Sequence, residues 1–372
     1  HKNVCGQKQA GRVWNKYLVD KLTKRVGFVQ SKVDECVFYK GNVMYVLYTD
    51  DSILAGPDEK EIETIIEEMR QAELDLTVEG NLEDFLGVHI ERHADGSIEL
   101  TQPHLIDSII KDMGFRENTK GKPTPAPSTI LLQRDEQGDS HDEVWEYRSI
   151  LGKLNFLEKS TRPELAYSVH QCARFCSDPK ASHSAAVRHI VRYLIDTRDK
   201  GLILCPDEHS FICYADADFS GNWNRETAHF NSMTAKSRGA YIVMYAGCPV
   251  VWASKLQTEI ALSSTESEYN CLSEAAREVI GLMGLMTEVK EKMCDETVTI
   301  PTIKCTMFED NEGAIALAKY PKIRPRTKHI NSKMHWFRSL VGKTLFIEGI
   351  DTLDQLADIG TKPLAEDLFK KL

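Results

Sequence analysis

The chain has 372 residues, which is too long for one ordinary hydrophobic core and predicts two or three compact units. Hydrophobic residues make up 42% of it and charged residues 27%, a composition that excludes a disordered chain. The formal net charge of −10 excludes a uniformly basic protein that coats phosphates. It is compatible with an enzyme that holds acidic metal ligands beside a local basic track, such as Lys322 to Lys328, although a solvated loop explains that run equally well.

Ten cysteines are scattered along the chain without paired spacing, and no signal peptide precedes them. We therefore expect reduced thiols in an intracellular compartment. No apolar run approaches the roughly 18 residues needed to span a bilayer, so we expect a soluble protein. The first residue is His1 and no initiator methionine precedes the first predicted helix, which suggests that the chain is cut from something larger.

The first 118 residues alternate between helical and strand patterns. Val43 to Tyr48 is a compact apolar run typical of a buried strand, and it resumes at Ile53, which predicts a β-hairpin with the tip Thr49 to Ser52. The elements predicted in this region are a helix at 14–22, strands at 43–48 and 53–56, a helix at 58–73, and strands at 85–90 and 98–100. This order indicates an α+β region.

Three prolines and a following acidic stretch mark residues 119–142 as a linker. Residues 143–200 have helical patterns, with Leu151, Leu154 and Leu157 on one apolar stripe for which core packing is a sufficient explanation. The elements predicted after residue 206 are strands at 211–214, 240–245 and 250–252, a helix at 265–289, a strand at 302–308 and a helix at 312–319. Three consecutive strands, a helix and a parallel β-α unit indicate an α/β domain with a mixed sheet.

Adjacent acids, Asp50 and Asp51, stand at the tip of the predicted hairpin. Strong β-formers on both sides hold the two charges together despite their repulsion, and a bound divalent cation would remove that penalty. On spacing alone, a solvated turn is an equally good interpretation.

Four dispersed acids, Asp216, Glu266, Asp310 and Asp358, follow strands or begin helices. Strand ends and helix starts converge at one edge of an open α/β sheet, so these residues can meet in one cleft. Taken singly, each is more often structural: Glu266 suits the first turn of a helix behind an N-cap Ser263 or Ser264, and Asp310 could itself be a cap. Taken together, they suit a two-metal arrangement.

The motifs, in their order, resemble the Pol polyproteins of Ty1/copia-type retrotransposons over nearly the whole chain. The segments that carry the resemblance are Gly6-Gln7-Lys8-Gln9-Ala10, Tyr48-Thr49-Asp50-Asp51, Asp84-Phe85-Leu86-Gly87, Tyr147 to Asn155, Thr161-Arg162-Pro163-Glu164, Ala261 to Glu266, Glu309-Asp310-Asn311, Arg326-Thr327-Lys328-His329 and Gln355 to Ile359. The resemblance implies a multidomain α+β and α/β protein. Its segments would be the C-terminal part of a reverse transcriptase, with palm remnant and thumb-like region, at 1–118, a linker at 119–142, a helical connection at 143–205, and a ribonuclease H-like mixed sheet with helices at 206–372.

The resemblance also implies roles for the candidate residues. Asp50 and Asp51 would bind metal in a polymerase palm, with Gln9 near the incoming nucleotide or template. Asp216, Glu266, Asp310 and Asp358 match the Asp-Glu-Asp-Asp set of ribonuclease H, which binds two Mg²⁺ ions, with Mn²⁺ as a substitute, and cuts the RNA strand of an RNA–DNA hybrid. Ser264 and Asn311 are candidate donors to the 2′-hydroxyls of RNA, although helix capping explains both equally well.

Two departures limit what the resemblance implies. The family's polymerase needs an aspartate on a palm strand well upstream of Gln9, whereas the first aspartate here is Asp20, on a predicted helix, so we expect no polymerase activity from this chain alone. Asn331 stands where many such elements carry an aspartate, and Asp358 is the more plausible fourth ligand.

The expected partners are RNA–DNA hybrid, RNA template, DNA and upstream parts of the polyprotein, in cytoplasmic virus-like particles or the nucleus, without a membrane. A non-catalytic degenerate relic that at most binds nucleic acid is the alternative.

Overall fold

A computed structural model of the chain describes residues 7–116, 118–127, 132–208, 210–226, 228–229, 231–294, 301–320, 330 and 332–372. The proposed basic run Lys322 to Lys328, the Arg326 to His329 motif and Asn331 lie outside these residues. The chain packs into two units. The small unit comprises His1–Leu82 and Ile280–Ile303, and the large unit comprises Glu83–Val279 and Lys304–Leu372.

The small unit contains an antiparallel sheet whose four strands follow chain order. These strands are β1 (Val29–Gln30), β2 (Val37–Lys40), β3 (Val43–Tyr48) and β4 (Asp51–Ala55). Helix α1 (Ala10–Lys21) continues into a π-helical turn, Leu22–Val26, and helix α2 (Glu59–Gln71) begins behind Asp58, whose carboxylate accepts the backbone N–H of Lys60. Their apolar faces share one core that includes Leu22, Phe38 and Met69.

Helices dominate the first half of the large unit. They are α3 (Pro103–Asp112), α4 (Tyr147–Ser160), α5 (Ala166–Ala173) and α6 (Ala181–Asp196). The predicted stripe of Leu151, Leu154 and Leu157 is buried in one core with residues of α3 and α6, which confirms the core interpretation. An antiparallel sheet in this unit runs in the order β5 (Asp84–Phe85), β6 (Val88–Arg92), β7 (Ile98–Thr101) and β8 (Leu202–Leu204).

A five-stranded mixed sheet forms the second half of the large unit. Its strands are β9 (Phe211–Asp218), β10 (Arg238–Tyr245), β11 (Cys248–Leu256), β12 (Cys305–Glu309) and β13 (Leu345–Gly349), in the spatial order β11-β10-β9-β12-β13. The first three strands pair antiparallel, and β12 lies parallel to both β9 and β13. The predicted mixed sheet is therefore confirmed.

Four further helices accompany this sheet: α7 (Ser264–Met293), α8 (Glu312–Lys319), α9 (Asp358–Thr361) and α10 (Glu366–Lys371). Short 3-10 turns lie at Pro163–Leu165, Ser232–Ala235, Ser332–Leu340 and Thr352–Asp354. Helix α7 packs on β10, where the Cys271 thiol contacts the carbonyl oxygen of Ala240 at 3.2 Å. A Cβ atom at Gly239 would lie 3.2 Å from the Cys271 sulfur, so a small residue on β10 favours this close approach.

The two units divide the chain differently from the predicted segments. Residues 83–118 belong to the large unit rather than to a segment that ends at 118, and the last part of α7, from residue 280, belongs to the small unit. Among the described residues, no helix is both long and apolar enough to cross a membrane. The nine cysteines that the structure describes are all free thiols.

Replacing Leu154 by alanine should destabilise the large unit. This side chain is fully buried on α4, so its truncation leaves a cavity and should lower the free energy of unfolding by about 2–5 kcal/mol. Urea denaturation followed by circular dichroism measures the change. Asn155→Ala, at the exposed neighbouring position, is the matched control and should stay within about 0.5 kcal/mol of the wild type. Equal effects of the two substitutions would contradict this packing.

Candidate metal centre

Two of the predicted acids are placed together by the register of parallel strands. Tyr214 of β9 pairs with Phe308 of β12. Asp216 follows Tyr214 by two residues, and Asp310 follows Phe308 by two residues. Because the carboxyl ends of parallel neighbours meet at one edge of a sheet, the two carboxylates lie close together. Asp216 is buried, whereas Asp310 is half-buried and accepts a 2.7 Å hydrogen bond from the Thr352 hydroxyl.

The third acid at this edge is Glu268, which sequence reasoning did not select. It projects from the second turn of α7 and is buried. One carboxylate oxygen from each of Asp216, Glu268 and Asp310 lies within 4.8 Å of the others. Three elements that are distant in sequence, β9, α7 and the end of β12, thus deliver oxygen ligands to one point.

The predicted Glu266 is not brought into this cluster. Its carboxylate accepts the backbone N–H of Leu262 at 2.7 Å, while the Ser263 hydroxyl accepts the N–H of Glu266 at 3.1 Å. These two bonds cap the start of α7 much as a helix capping box does, except that Glu266 accepts the N–H of the residue before the N-cap; capping is the structural role that the sequence also allowed. Two residues along a helix correspond to about 200° of rotation, so Glu266 and Glu268 point in nearly opposite directions.

Asp358 reaches the same edge from the C-terminal segment. The buried side-chain amide of Gln355 donates a 3.0 Å hydrogen bond to the carbonyl oxygen of Ala215, which fixes this segment against β9. A Cβ atom at Gly360 would lie 2.6 Å from the Cβ of Ala240, so only glycine lets α9 approach β10 this closely. Asp358 is buried at the start of α9, three residues before Thr361.

Polar side chains contact two of these acids, Asp216 and Asp358. The Thr361 hydroxyl donates to Asp216 at 2.5 Å, and the Lys362 ammonium lies 2.7 Å from the Asp358 carboxylate. Burial alone would lower the pKa of Lys362, but the charges of Asp216 and Asp358 raise it above its usual value. Lys362 is therefore a cation held among carboxylates.

Burial and mutual repulsion penalise the charged forms of these acids. Burial, followed by the charge of Asp358, raises the pKa of Asp216 to about 7. Burial and the charges of Glu309 and Asp216 raise the pKa of Glu268 far above the ordinary carboxyl range, and burial and Asp310 raise that of Asp358. The protein alone therefore leaves negative charge undercompensated at this point.

Glu309, beside Asp310, is a fifth acid that no sequence argument selected. It is fully buried, and one of its oxygens accepts the backbone N–H of Asn311 at 3.1 Å. Its other oxygen has no hydrogen-bond partner among the described residues, and burial raises its pKa well above the usual value. Glu309 adds to the repulsion around Glu268.

A hard divalent cation fits this donor set. The ligands are all carboxylate oxygens, the type that Mg²⁺ and Mn²⁺ prefer. One oxygen of Glu268 is buried without a hydrogen-bond partner among the described residues, and the Asp358 carboxylate is buried with Lys362 beside it. A dication would satisfy the Glu268 oxygen and relieve the repulsion that raises the carboxyl pKa values.

The remaining predicted residues do not join the group of acids. Asn311 caps α8, accepting the N–H of Ala314 at 3.0 Å, and Ser264 is the exposed first residue of α7. In the small unit, Asp50 and Asp51 are exposed at the end of the β3–β4 hairpin, where Tyr48 pairs with Asp51. The intervening Thr49 has φ +54°, an unusual value for a β-branched residue.

Gln9 is exposed at the start of α1 in the small unit. Its side-chain amide lies 3.5 Å from the side-chain oxygen of Gln7. Among the described residues, this is the one side-chain hydrogen bond that Gln9 makes with another side chain.

Comparisons with known proteins show related sequences along the whole chain. Residues 1–127 match the family described as reverse transcriptase (RNA-dependent DNA polymerase). The chain is 30% identical over 376 residues to the retrovirus-related Pol polyprotein from transposon RE1 of Arabidopsis thaliana, covering 99% of this chain and 24% of that protein. It is 28% identical over 385 residues to the Pol polyprotein from transposon TNT 1-94 of Nicotiana tabacum, covering 100% of this chain and 27% of that protein. The chain thus spans about a quarter of these relatives.

Solved structures give weaker likenesses. The N-terminal RNase H domain of a Mycobacterium tuberculosis protein aligns with 44% of this chain and 96% of its own length, at a TM-score of 0.28 and 10% identity. An RNase H1 solved in complex with an RNA/DNA hybrid aligns with 41% of this chain and 94% of its own length, at a TM-score of 0.27 and 15% identity.

Without metal, the protein should lose stability as the pH rises. Because its pKa is raised to about 7, Asp216 keeps its proton in the native state up to about pH 7, whereas in the unfolded state it releases the proton near the ordinary pKa of 3.8. The native state therefore binds more protons in this window, and the proton on Asp216 alone should lower the free energy of unfolding by on the order of 4 kcal/mol between pH 4 and pH 8. Urea denaturation in EDTA measures the slope, Asp216→Asn should make it shallower, Glu268 and Asp358 should maintain the remainder, and Mg²⁺ should reduce it. A slope that Asp216→Asn leaves unchanged would contradict the assignment.

The isosteric substitutions Glu266→Gln and Glu268→Gln should separate the cap from the metal ligand. Glutamine still accepts the N–H of Leu262, so Glu266→Gln should keep both stability and Mn²⁺ affinity near wild type. Glu268→Gln removes a charged oxygen ligand and should weaken Mn²⁺ binding by more than about tenfold, while it stabilises the metal-free protein by relieving repulsion. Isothermal titration calorimetry and thermal melting give the two readouts. The reverse pattern would restore Glu266 as the ligand.

Proposed function

We propose, from the premise that this chain belongs to the Ty1/copia-type Pol polyproteins of retrotransposons, that its large unit hydrolyses the RNA strand of RNA–DNA hybrids. The observation that carries the proposal is the convergence of carboxylate oxygens from Asp216, Glu268 and Asp310 within 4.8 Å. Asp358 supplies the fourth carboxylate. Relative to the sequence-based assignment, Glu268 takes the place of Glu266.

The four carboxylates would hold two Mg²⁺ ions, or Mn²⁺ in their place. When bound, such ions activate a water molecule for attack on a phosphodiester and stabilise the leaving 3′ oxygen. The chain's own contribution is to fix the ligands: Thr361 orients the Asp216 carboxylate, and Thr352 orients that of Asp310. Because rigid strands and helices supply these ligands, little reorganisation is needed when a substrate binds.

Selection of the RNA strand requires contact with 2′-hydroxyls. The Asn311 side-chain oxygen is used for the helix cap, but among the described residues its amide nitrogen has no hydrogen-bond partner. We assign this nitrogen, together with the exposed hydroxyl of Ser264, to the substrate strand. Asn311 follows the ligand Asp310 directly, so a strand held at the metal centre passes within its reach.

The small unit carries the polymerase motif, with Asp50 and Asp51 as metal ligands and Gln9 as a contact of nucleotide or template. A chain of these 372 residues should not extend a primer. Its first aspartate, Asp20, lies on α1 and forms an ion pair with Lys24, so it cannot act as the first aspartate of a palm strand. The nucleic-acid partners are the hybrid, the RNA template and DNA, and the place of action is the virus-like particle or the nucleus.

A catalytic centre is favoured over a degenerate relic by the cost of the arrangement. Several carboxyl groups with raised pKa values at one sheet edge destabilise the fold when no cation is bound. A chain without function would gain stability by losing any one of these acids, and this chain retains all of them. Clustered, perturbed acids are typical of functional sites.

The purified chain should cut a labelled RNA–DNA hybrid in the presence of Mg²⁺. We expect cleavage of the RNA strand but not of duplex RNA, loss of cleavage in EDTA, and background activity for Asp310→Asn and Glu268→Gln. Glu266→Gln is the matched control and should remain active, because it changes a helix cap and no ligand. Denaturing gels measure the products, and circular dichroism verifies that each variant is folded. A folded wild-type chain that leaves the hybrid intact would contradict the enzyme and favour the relic.

A further inference from the structure

A groove of about 620 Å³ lies in the large unit, between the end of α3 with its following segment and helix α6. Its lining is dominated by basic side chains, with one aromatic ring. The residues concerned are Phe115, Arg116, Lys122, Arg188, His189 and Arg192. We call this feature the basic groove.

The groove is held in shape by contacts between α6 and the neighbouring backbone. Arg192 donates to the carbonyl oxygen of Lys120 at 2.7 Å and accepts the N–H of Lys122 with its own carbonyl at 3.2 Å. His189 lies 3.0 Å from the carbonyl oxygen of Thr124 through its Nε2 atom. The segment from residue 120 to 124 is therefore fixed along α6. These contacts hold the backbone that carries the cationic side chains of the groove.

Three of the four cations in the groove are not held in direct ion pairs among the described residues, although the Asp196 carboxylate lies against neighbouring Gly121. Arg188 is paired with Glu143 and lies over the Phe115 ring, 5.4 Å from its centroid. Arg116, Lys122 and Arg192, by contrast, have no ion-pair partner among the described residues, which do not include Glu117. Like charges clustered in this way repel one another, and a bound anion would offset that repulsion.

The electrostatics of His189 agree with a positive groove. Burial lowers the pKa of His189, and the charges of Lys122 and Arg192 lower it further. The imidazole therefore stays neutral at physiological pH, and the anion-binding charge comes from the arginines and the lysine. Guanidinium groups bind phosphate oxygens in a bidentate manner, which favours a phosphate partner.

The groove adjoins a second cavity, of about 660 Å³, through their shared residue Lys122. Ile359, which follows the proposed ligand Asp358 on α9, lines that second cavity. The basic groove therefore adjoins a cavity that is lined in part by α9, the helix that carries Asp358. A chain-like ligand suits this arrangement better than a single small anion.

We propose that the basic groove binds the sugar-phosphate backbone of the nucleic acid on which the acidic centre acts. The inference rests on the proposed nuclease function and adds to it a place where the substrate is held away from the reacting bond. Phosphate contacts of this kind position a duplex without reading its sequence. Arg116, Lys122 and Arg192 are the residues that make them.

The test compares hybrid binding by the Asp310→Asn chain with binding by the same chain carrying Arg116→Gln, Lys122→Gln and Arg192→Gln. Fluorescence anisotropy of a labelled RNA–DNA hybrid is measured from 50 to 200 mM KCl. Loss of three phosphate contacts should reduce the slope of log Kd against log salt by about 2.7, so that raising the salt fourfold weakens the parent chain about 40-fold more than the triple variant.

Matched controls make the result specific. Lys304→Gln, Lys319→Gln and Lys343→Gln together remove the same charge from exposed positions outside the groove and should leave the slope unchanged. Arg116→Gln with Lys122→Gln spares the Arg192 contact to Lys120 and should give about two-thirds of the loss. Circular dichroism verifies the fold of each variant.

Two outcomes would overturn the proposal. One is a slope that the groove substitutions leave as it was in the parent chain. The other is displacement of the hybrid by poly-glutamate or inorganic phosphate as effectively as by duplex DNA of equal charge, which would assign the groove to an acidic protein or a free anion. This assay measures binding and not cleavage. If the nuclease proposal is wrong but the groove proposal is right, the wild-type chain will leave the hybrid intact in the cleavage assay and will still bind it here.

Discussion

At the end of β9 the fold holds several carboxylates together against their mutual repulsion, and the parallel strand register is what holds them there. Asp216 and Asp310 cannot move apart without breaking the parallel register of β9 and β12, and that register is shared with β13. Helix α7 adds Glu268, and the only cation close by is Lys362, within the part of the chain that the structure describes. The fold keeps this unfavourable charge instead of relieving it, as proteins do where a site needs it.

Several residues far from any reacting group set the spacing of the acids. Gly360 permits α9 to touch β10, and the Ser254 hydroxyl donates to the carbonyl oxygen of Gly360 at 2.5 Å. Arg238, fully buried, donates in turn to Ser254 at 3.0 Å. A larger residue at 360 would push α9 away from the sheet and take Asp358 with it, so Gly360 determines whether Asp358 stays beside the other acids.

Much of the fold could be predicted from sequence wherever an element has a clear period. The strand at 43–48, the helix at 312–319 and the sheet-forming strands near 211, 240 and 250 lie within the observed elements, because alternation and helical spacing report burial directly. Short elements such as β13 and α9 were missed, since five or four residues carry too little periodicity. The division into units was also out of reach, because the pattern of α7 is continuous across residue 280 and does not show which core each half joins.

For the candidate site, the sequence predicted that Asp216, Asp310 and Asp358 meet at one sheet edge, where the structure places them, but it did not single out the acid on α7 that lies with them. The helical phase contained the missing signal: Cys271, Leu272 and Ala275 are buried, and Glu268 continues their stripe three and four residues earlier. Ser263 and Glu266 instead carry the pattern of a capping box: the Glu266 carboxylate accepts the N–H of Leu262, and two residues of helix turn it about 200° away from Glu268. The cap nevertheless matters for the site. Because Ser263 and Glu266 fix where α7 begins, they fix its rotation, and with it the direction in which Glu268 points two residues later.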